Sequence, residues 1–248
     1  AVSGCSAVTV YEPIEYQSYY ELSPQAINWG FVKNKNAAPD ISADDAALLE
    51  AYDGYYIDET KPKAIYLTFD EGYENGYTSK ILDILQAQNV KAAFFVTGPY
   101  LESQGDLIRR MLDEGHIVGN HTVNHINMAQ ADAETVKAEL DGLSQKCEEL
   151  YGVGMKYVRP PEGTFSERSL AVCRDMGYKT VLWSFAYKDW DVNAQQGGEY
   201  AVNQITPYFH DGEIMLLHAV SSDNAAALEE VIRLARERGY EFRSLDEL

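Results

Sequence analysis

Two adjacent carboxylates, Asp70 and Glu71, close an apolar stretch in Thr68-Phe69-Asp70-Glu71-Gly72. About fifty residues later, His121-Thr122-Val123-Asn124-His125 sets two histidines four positions apart. A divalent metal held by two imidazoles and one carboxylate, with positions left for water and substrate, is an open catalytic site, and a second carboxylate beside it can serve as a base. The combination points to hydrolysis. If the loop between the histidines continues into a helical turn, both rings face one way, about 5–6 Å apart at Cβ. A lone histidine more often just satisfies its own loop; the pairing with two acids favours the metal.

Neighbouring residues leaving a strand point to opposite sides, so one carboxylate can meet the metal while the other faces the attacking water. A metal brings its bound water towards a pKa of ~7, and a carboxylate can then take the proton. Arg159, in Arg159-Pro160-Pro161-Glu162-Gly163, can keep that base ionised and oriented, can form a structural ion pair, or can do both. His218 ends the run Ile214-Met215-Leu216-Leu217, from where it can protonate a leaving amine, with Asp189 on its other ring nitrogen. The two prolines stiffen their turn, which either presents a backbone N–H such as that of Glu162 to an oxyanion or is tight for structural reasons alone. His116 and His210 read as structural.

The elements that must position these residues follow from the pattern. From Lys63 onward, apolar runs (Ala64–Phe69, Ala92–Val96, Ile117–Gly119, Lys156–Val158, Thr180–Trp183, Ile214–Leu217, Glu241–Arg243) alternate with amphipathic stretches (Thr78–Gln88, Gln104–Glu114, Ala133–Tyr151, Ser166–Met176, Tyr200–His210, Ala225–Arg238). Strands separated by helices are βα units that bury a parallel sheet, and seven of them predict an α/β fold, a distorted (β/α)7-8 barrel. A doubly wound open sheet is the competing arrangement, but no Gly-rich phosphate loop follows the first strand. The polar residues above all fall at the C-terminal ends of predicted strands, the rim on which barrel active sites are built. Residues 1–60 read as an irregular extension, with a helix at Ala43–Tyr52, that packs on the catalytic domain at 61–248.

Composition narrows the partners. A formal net charge of −19 over 248 residues argues against nucleic acid or an anionic membrane surface, which need clustered Lys and Arg, and leaves glycans open. Eighteen tyrosines and three tryptophans suit sugar rings, as weak support. Cys147 and Cys173 read as buried free thiols. Val2-Ser3-Gly4-Cys5 looks like the small-residue end of a lipoprotein signal, so Cys5 is a candidate lipid anchor, although such triplets also arise by chance. No apolar run is long enough to span a bilayer.

Five short motifs, Thr68-Phe69-Asp70-Glu71-Gly72, His121-Thr122-Val123-Asn124-His125, Arg159-Pro160-Pro161-Glu162-Gly163, Asp189-Trp190 and Leu216-Leu217-His218, resemble in type and order those of the polysaccharide deacetylases of the NodB-homology type, carbohydrate esterase family four. Asn28-Trp29-Gly30-Phe31, Tyr73-Glu74-Asn75-Gly76-Tyr77, Glu114 to His121 and Phe165-Ser166-Glu167-Arg168 look like the delta-lactam-biosynthetic de-N-acetylases. The resemblance implies N-deacetylation of peptidoglycan, at N-acetylmuramic acid on the route to muramic delta-lactam, outside the cytoplasm and in the setting of the forespore envelope. It implies Asp70 as base, His218 as acid, Arg159 and Asp189 as their partners, and His121, His125 and Glu71 as metal ligands. The metal is expected to be zinc, with Co, Mn or Fe compatible by ligand type. Trp190 is expected to line the acetyl pocket, with Tyr73, Glu162 and Gly163 as further substrate contacts. Glu71 stands where most of the family has a metal-binding Asp. The alternatives are action on another acetylated glycan, an O-acetyl esterase, and a non-catalytic glycan-binding relative.

Overall fold

Ala64-Ile65-Tyr66-Leu67-Thr68-Phe69 is apolar on both sides of the chain, the composition of a parallel strand covered on each face. It forms the centre of the computed structural model, which describes residues 19–248. Cys5 and its candidate anchor lie outside the described residues.

The chain runs through short strands β1 (Ile27–Asn28), β2 (Val32–Asn34) and β3 (Ala37–Asp40), helix α1 (Ala43–Ala51) and β4 (Gly54–Tyr55). Then come β5 (Ala64–Glu71), α2 (Thr78–Ala87), β6 (Ala93–Val96), α3 (Gly98–Ser103), α4 (Gly105–Asp113), β7 (Ile117–Asn120), α5 (Ala133–Tyr151) and β8 (Tyr157–Val158). The last part is β9 (Thr164–Phe165), α6 (Glu167–Asp175), β10 (Lys179–Val181), α7 (Gly198–Ile205), β11 (Glu213–His218), α8 (Ser222–Glu237) and β12 (Glu241–Phe242).

The main sheet has the order β11-β5-β6-β7-β8-β10-β4, with β12 also on β5, and its pairings are parallel. It curls until the chain leaving β10 meets β11: Phe185 bridges Met215, Ser184 N–H donates to the Ile214 carbonyl at 2.9 Å, and Leu216 N–H donates to the Phe185 carbonyl at 2.9 Å. This seam makes the sheet a distorted (β/α) barrel.

Strand parity sorts the side chains, because successive residues face opposite sides. On β5, Ile65, Leu67 and Phe69 pack under the helices, and Phe69 stacks on Phe94 of β6 at 5.1 Å. Ala64 and Tyr66 point into the barrel with Phe95 and Ile214. Asp70 has interior parity. Glu71 has the parity of the helix layer.

The helices are closed by local signals. Ser221 caps α8 by accepting from Asn224 N–H, Asp132 caps α5, and Gly152, at φ 74°, ends α5 in the left-handed conformation that favours glycine. The helix expected over Tyr200–His210 stops at Ile205 and tightens into a 3-10 turn at Thr206–Tyr208, where Pro207 has no N–H to continue an α-helical ladder. Ahead of the barrel, β1 pairs antiparallel with β9, Trp29 donates from Nε1 to the Trp183 carbonyl at 2.8 Å, and β4 extends the main sheet alongside β10.

Candidate active site

A groove of about 910 Å³ opens at the C-terminal rim of the strands, and Asp70, His121, His125, Glu162 and His218 line it. Tyr73 and Trp190, each 54% exposed, stand on its rim, while Trp183, Tyr187 and Leu216 form apolar wall. Groups from β5, β7, β11 and the loop after β8 thus converge from distant stretches of sequence.

Arg159 is the pivot. Its guanidinium is fully buried and donates to Asp70 Oδ1 at 3.0 Å, Thr68 Oγ1 at 2.8 Å, and the carbonyls of Val181 and Leu182 at 2.9 and 3.0 Å. Its plane lies against Phe95 and Trp183, 4.4 and 5.4 Å from the ring centroids. A buried cation so fully hydrogen-bonded is held in one orientation, and it presents its charge to one carboxylate. Burial pushes the Asp70 carboxyl up, but Arg159, then His121 and His218, outweigh burial and hold it below the usual carboxylate range.

His121 Nδ1 lies 2.7 Å from the Arg159 carbonyl and is therefore the protonated nitrogen, which leaves the Nε2 lone pair facing Asp70 Oδ2 at 3.8 Å. Burial pulls this imidazole down to a pKa of about 4, so it is neutral at ordinary pH. His125 sits edge-on to it with ring centroids 4.9 Å apart. His218 Nδ1 is 2.7 Å from Asp189 Oδ1, and its backbone N–H donates to Asp189 Oδ2 at 2.8 Å. Burial works against the imidazolium, but the hydrogen bond and charge of Asp189, with Asp70 beyond, raise its pKa above the ordinary 6.5.

Two expectations are corrected. Glu71 is not in the groove: as its parity dictates, it is buried beneath the opposite face of β5, accepts from Thr78 Oγ1 at 2.9 Å, and leaves Oε2 without a partner. Burial pushes its carboxyl well above the usual range, so it is held neutral. The expected metal set of His121, His125 and Glu71 therefore does not form, and among the described residues no three His, Cys, Asp or Glu side chains converge to hold an ion. The donor set does not fit the three-ligand site. Gly163, expected as a substrate contact, lies buried outside the groove. Its φ is +67°, and a Cβ there would come within 2.7 Å of the Trp183 ring, so the position supports the wall from behind.

Thr68, Trp183 and Tyr187 were not singled out in the sequence. Thr68 was within reach, since it stands two residues before Asp70 on the same face of β5. Tyr187 carried no comparable signal.

A parallel barrel that brings an aspartate, a buried arginine and an Asp-held histidine to one rim has the acid–base groups a hydrolase uses, and the family follows from sequence. The profile described as Polysaccharide deacetylase matches residues 57–181, and the chain belongs to that family. The chain is 45% identical over 229 residues to the peptidoglycan-N-acetylmuramic acid deacetylase PdaA of Bacillus subtilis, which covers 90% of this chain and 86% of the relative. The solved structure of that B. subtilis protein, described as a family 4 carbohydrate esterase, superposes with a TM-score of 0.89 at 44% identity, over 92% of this chain and 98% of the other. A family 4 carbohydrate esterase from Bacillus anthracis matches with a TM-score of 0.78 at 43% identity, over 92% and 97%. The chain is thus an enzyme of the polysaccharide deacetylase type.

Proposed function

We propose that the chain hydrolyses the N-acetyl group of a peptidoglycan amino sugar, the muramic residue, with Asp70 as base and His218 as acid. The observation that carries this is the pairing of two groups on one groove with opposite partners: Arg159, 3.0 Å from Asp70, favours its ionised form and lowers its pKa, while Asp189, 2.7 Å from His218 Nδ1, favours the imidazolium and raises its pKa above 6.5. A base and an acid tuned apart in this way suit amide hydrolysis, where a proton must leave water and another must reach nitrogen. The substrate is supported by the likeness to the B. subtilis muramic acid deacetylase, and a peptidoglycan substrate in turn supports action outside the cytoplasm.

The 3.8 Å gap between Asp70 Oδ2 and His121 Nε2 is one that a single water spans by donating an ordinary hydrogen bond to each. Asp70 takes the water proton as the oxygen attacks the acetyl carbon. The tetrahedral intermediate then collapses, the C–N bond breaks, and the proton on His218 Nε2 goes to the departing nitrogen. Acetate and a free amine result; Asp70 gives its proton up to solvent and His218 takes one back, which returns both groups to their starting states. Tyr73 and Trp190 offer ring faces for the sugars on either side of the scissile amide.

The test is acetate release from purified muramic-acid-containing glycan strands. Wild-type protein releases acetate and Asp70→Asn does not; full activity in Asp70→Asn would sink the mechanism. Release from N-acetylglucosamine polymers alone would reassign the sugar.

A further inference from the structure

The start of α8 is tied to the loop that carries Asp189 more densely than a helix cap requires. Ser221 Oγ and Asp223 N–H both donate to Gln195 Oε1, at 2.6 and 3.0 Å, and Gln195 Nε2 donates to the carbonyls of Asp189 and Asp191 at 3.0 and 2.9 Å. The Asp223 carboxylate accepts from the N–H groups of Gln196 and Gly197 at 2.7 and 2.6 Å. Asn224, buried and outside the groove, donates from Nδ2 to Asp189 Oδ2 at 2.7 Å and to the His218 carbonyl at 3.1 Å.

The sense of that amide is fixed. The Tyr187 hydroxyl donates to Asn224 Oδ1, and burial pushes this phenol far above its ordinary pKa, so it keeps its proton. With Oδ1 taken, only the NH₂ can face Asp189. Asp189 then receives three donors: the backbone N–H and Nδ1–H of His218, and Asn224. A carboxylate so occupied leaves the His218 proton on Nδ1 and aims the other nitrogen at the groove.

We propose that Asn224 is a positioning residue for the general acid: with Tyr187, it locks Asp189 and through it the orientation and tautomer of His218. The assignment rests on the acid role proposed above for His218. It requires that loss of Asn224 slow only the step that needs a proton on the leaving group.

The test compares wild type, Asn224→Ala and Tyr187→Phe on N-acetylated glycan strands and on 4-nitrophenyl acetate, whose leaving group departs without protonation. In Asn224→Ala, kcat on the amide falls by roughly ten-fold or more, short of the ~10²–10⁴-fold at stake in the acid itself. KM stays within about two-fold, because the residue does not touch substrate. The ester rate is retained, and in a His218→Ala background the Asn224→Ala change has no further effect. Tyr187→Phe, which removes only the hydroxyl that holds Asn224, lowers the amide kcat by less than Asn224→Ala does. Equal losses on amide and ester, or no loss on the amide, would overturn the assignment. The Nδ1–H proton resonance of His218 decides independently of turnover: slow to exchange in wild type, it is lost in Asn224→Ala, and its persistence there would also overturn the assignment. Absence of glycan turnover in wild type, with the resonance behaving as expected, would fault the proposed substrate or role and leave the lock standing.

Discussion

His218 and Asp70 are direct partners in the register of β11 against β5, side by side at the ends of neighbouring parallel strands. Proposed acid and base are therefore set by main-chain pairing rather than by loops. Sliding β11 by one residue would turn His218 to the helix layer and destroy the pair.

The pH dependence follows from these two groups. Asp70 is held below the ordinary 3.8, and His121 is neutral above a pKa of about 4, so kcat/KM has its acidic limb near or below pH 4. His218 is raised above 6.5, so the alkaline limb lies above that value. Asp189→Asn removes what raises it and moves that limb down. A steady-state pH profile checks both; an alkaline limb below pH 6.5 in wild type would contradict the assignment of His218.

Arg159→Met leaves Asp70 buried without its counter-charge. Breaking a buried pair from one side costs about 3–5 kcal/mol, to be read from urea unfolding at pH 7. The folded pKa of Asp70 lies below its unfolded value. Its contribution is therefore complete above 3.8 and is lost as pH falls through the folded value, so the difference between variant and wild type narrows in acid.

Glu71→Gln is nearly isosteric with the neutral acid present. Metal content and deacetylase rate match wild type, because Glu71 faces away from the groove. Its folded pKa is raised above 4.5, so wild type loses stability as pH climbs from 4.5 towards the folded value, while the glutamine does not. The variant's thermal midpoint therefore gains on wild type as pH rises. Loss of bound metal with loss of activity in Glu71→Gln would return Glu71 to the ligand set.

Gly163→Ala must place a methyl 2.7 Å from the Trp183 ring at a φ of +67°. Left-handed backbone and overpacking each cost about 1–3 kcal/mol, so chemical denaturation is expected to show a loss of a few kcal/mol and the groove wall at Trp183 to shift.

Much of this was legible in the chain. Asp70, His121, Arg159, Asp189 and His218 could be placed at one rim because strand ends are marked by where apolar runs stop, and βα alternation fixes which ends meet. Side-chain alternation along the strand excludes Glu71: the parity that aims Asp70 inward aims its neighbour outward, and a position in a motif does not by itself say which face a side chain takes. Gly163 reads as a contact in a short motif, whereas its role depends on Trp29 and Trp183, far away in sequence. Asn224 lies at a helix start, where its residue type is accounted for by capping, and its bond to Asp189 spans 35 positions that no local pattern links.

The buried guanidinium of Arg159 joins Asp70 on β5 to the carbonyls of Val181 and Leu182, which lie just before the seam where the sheet meets itself. The cation that faces the aspartate is therefore itself held by the strand end that leads into the seam. The same side chain thus ties the proposed base on one strand to the main chain of another across the barrel interior, so the direction of the base is a property of the closed barrel rather than of its own strand.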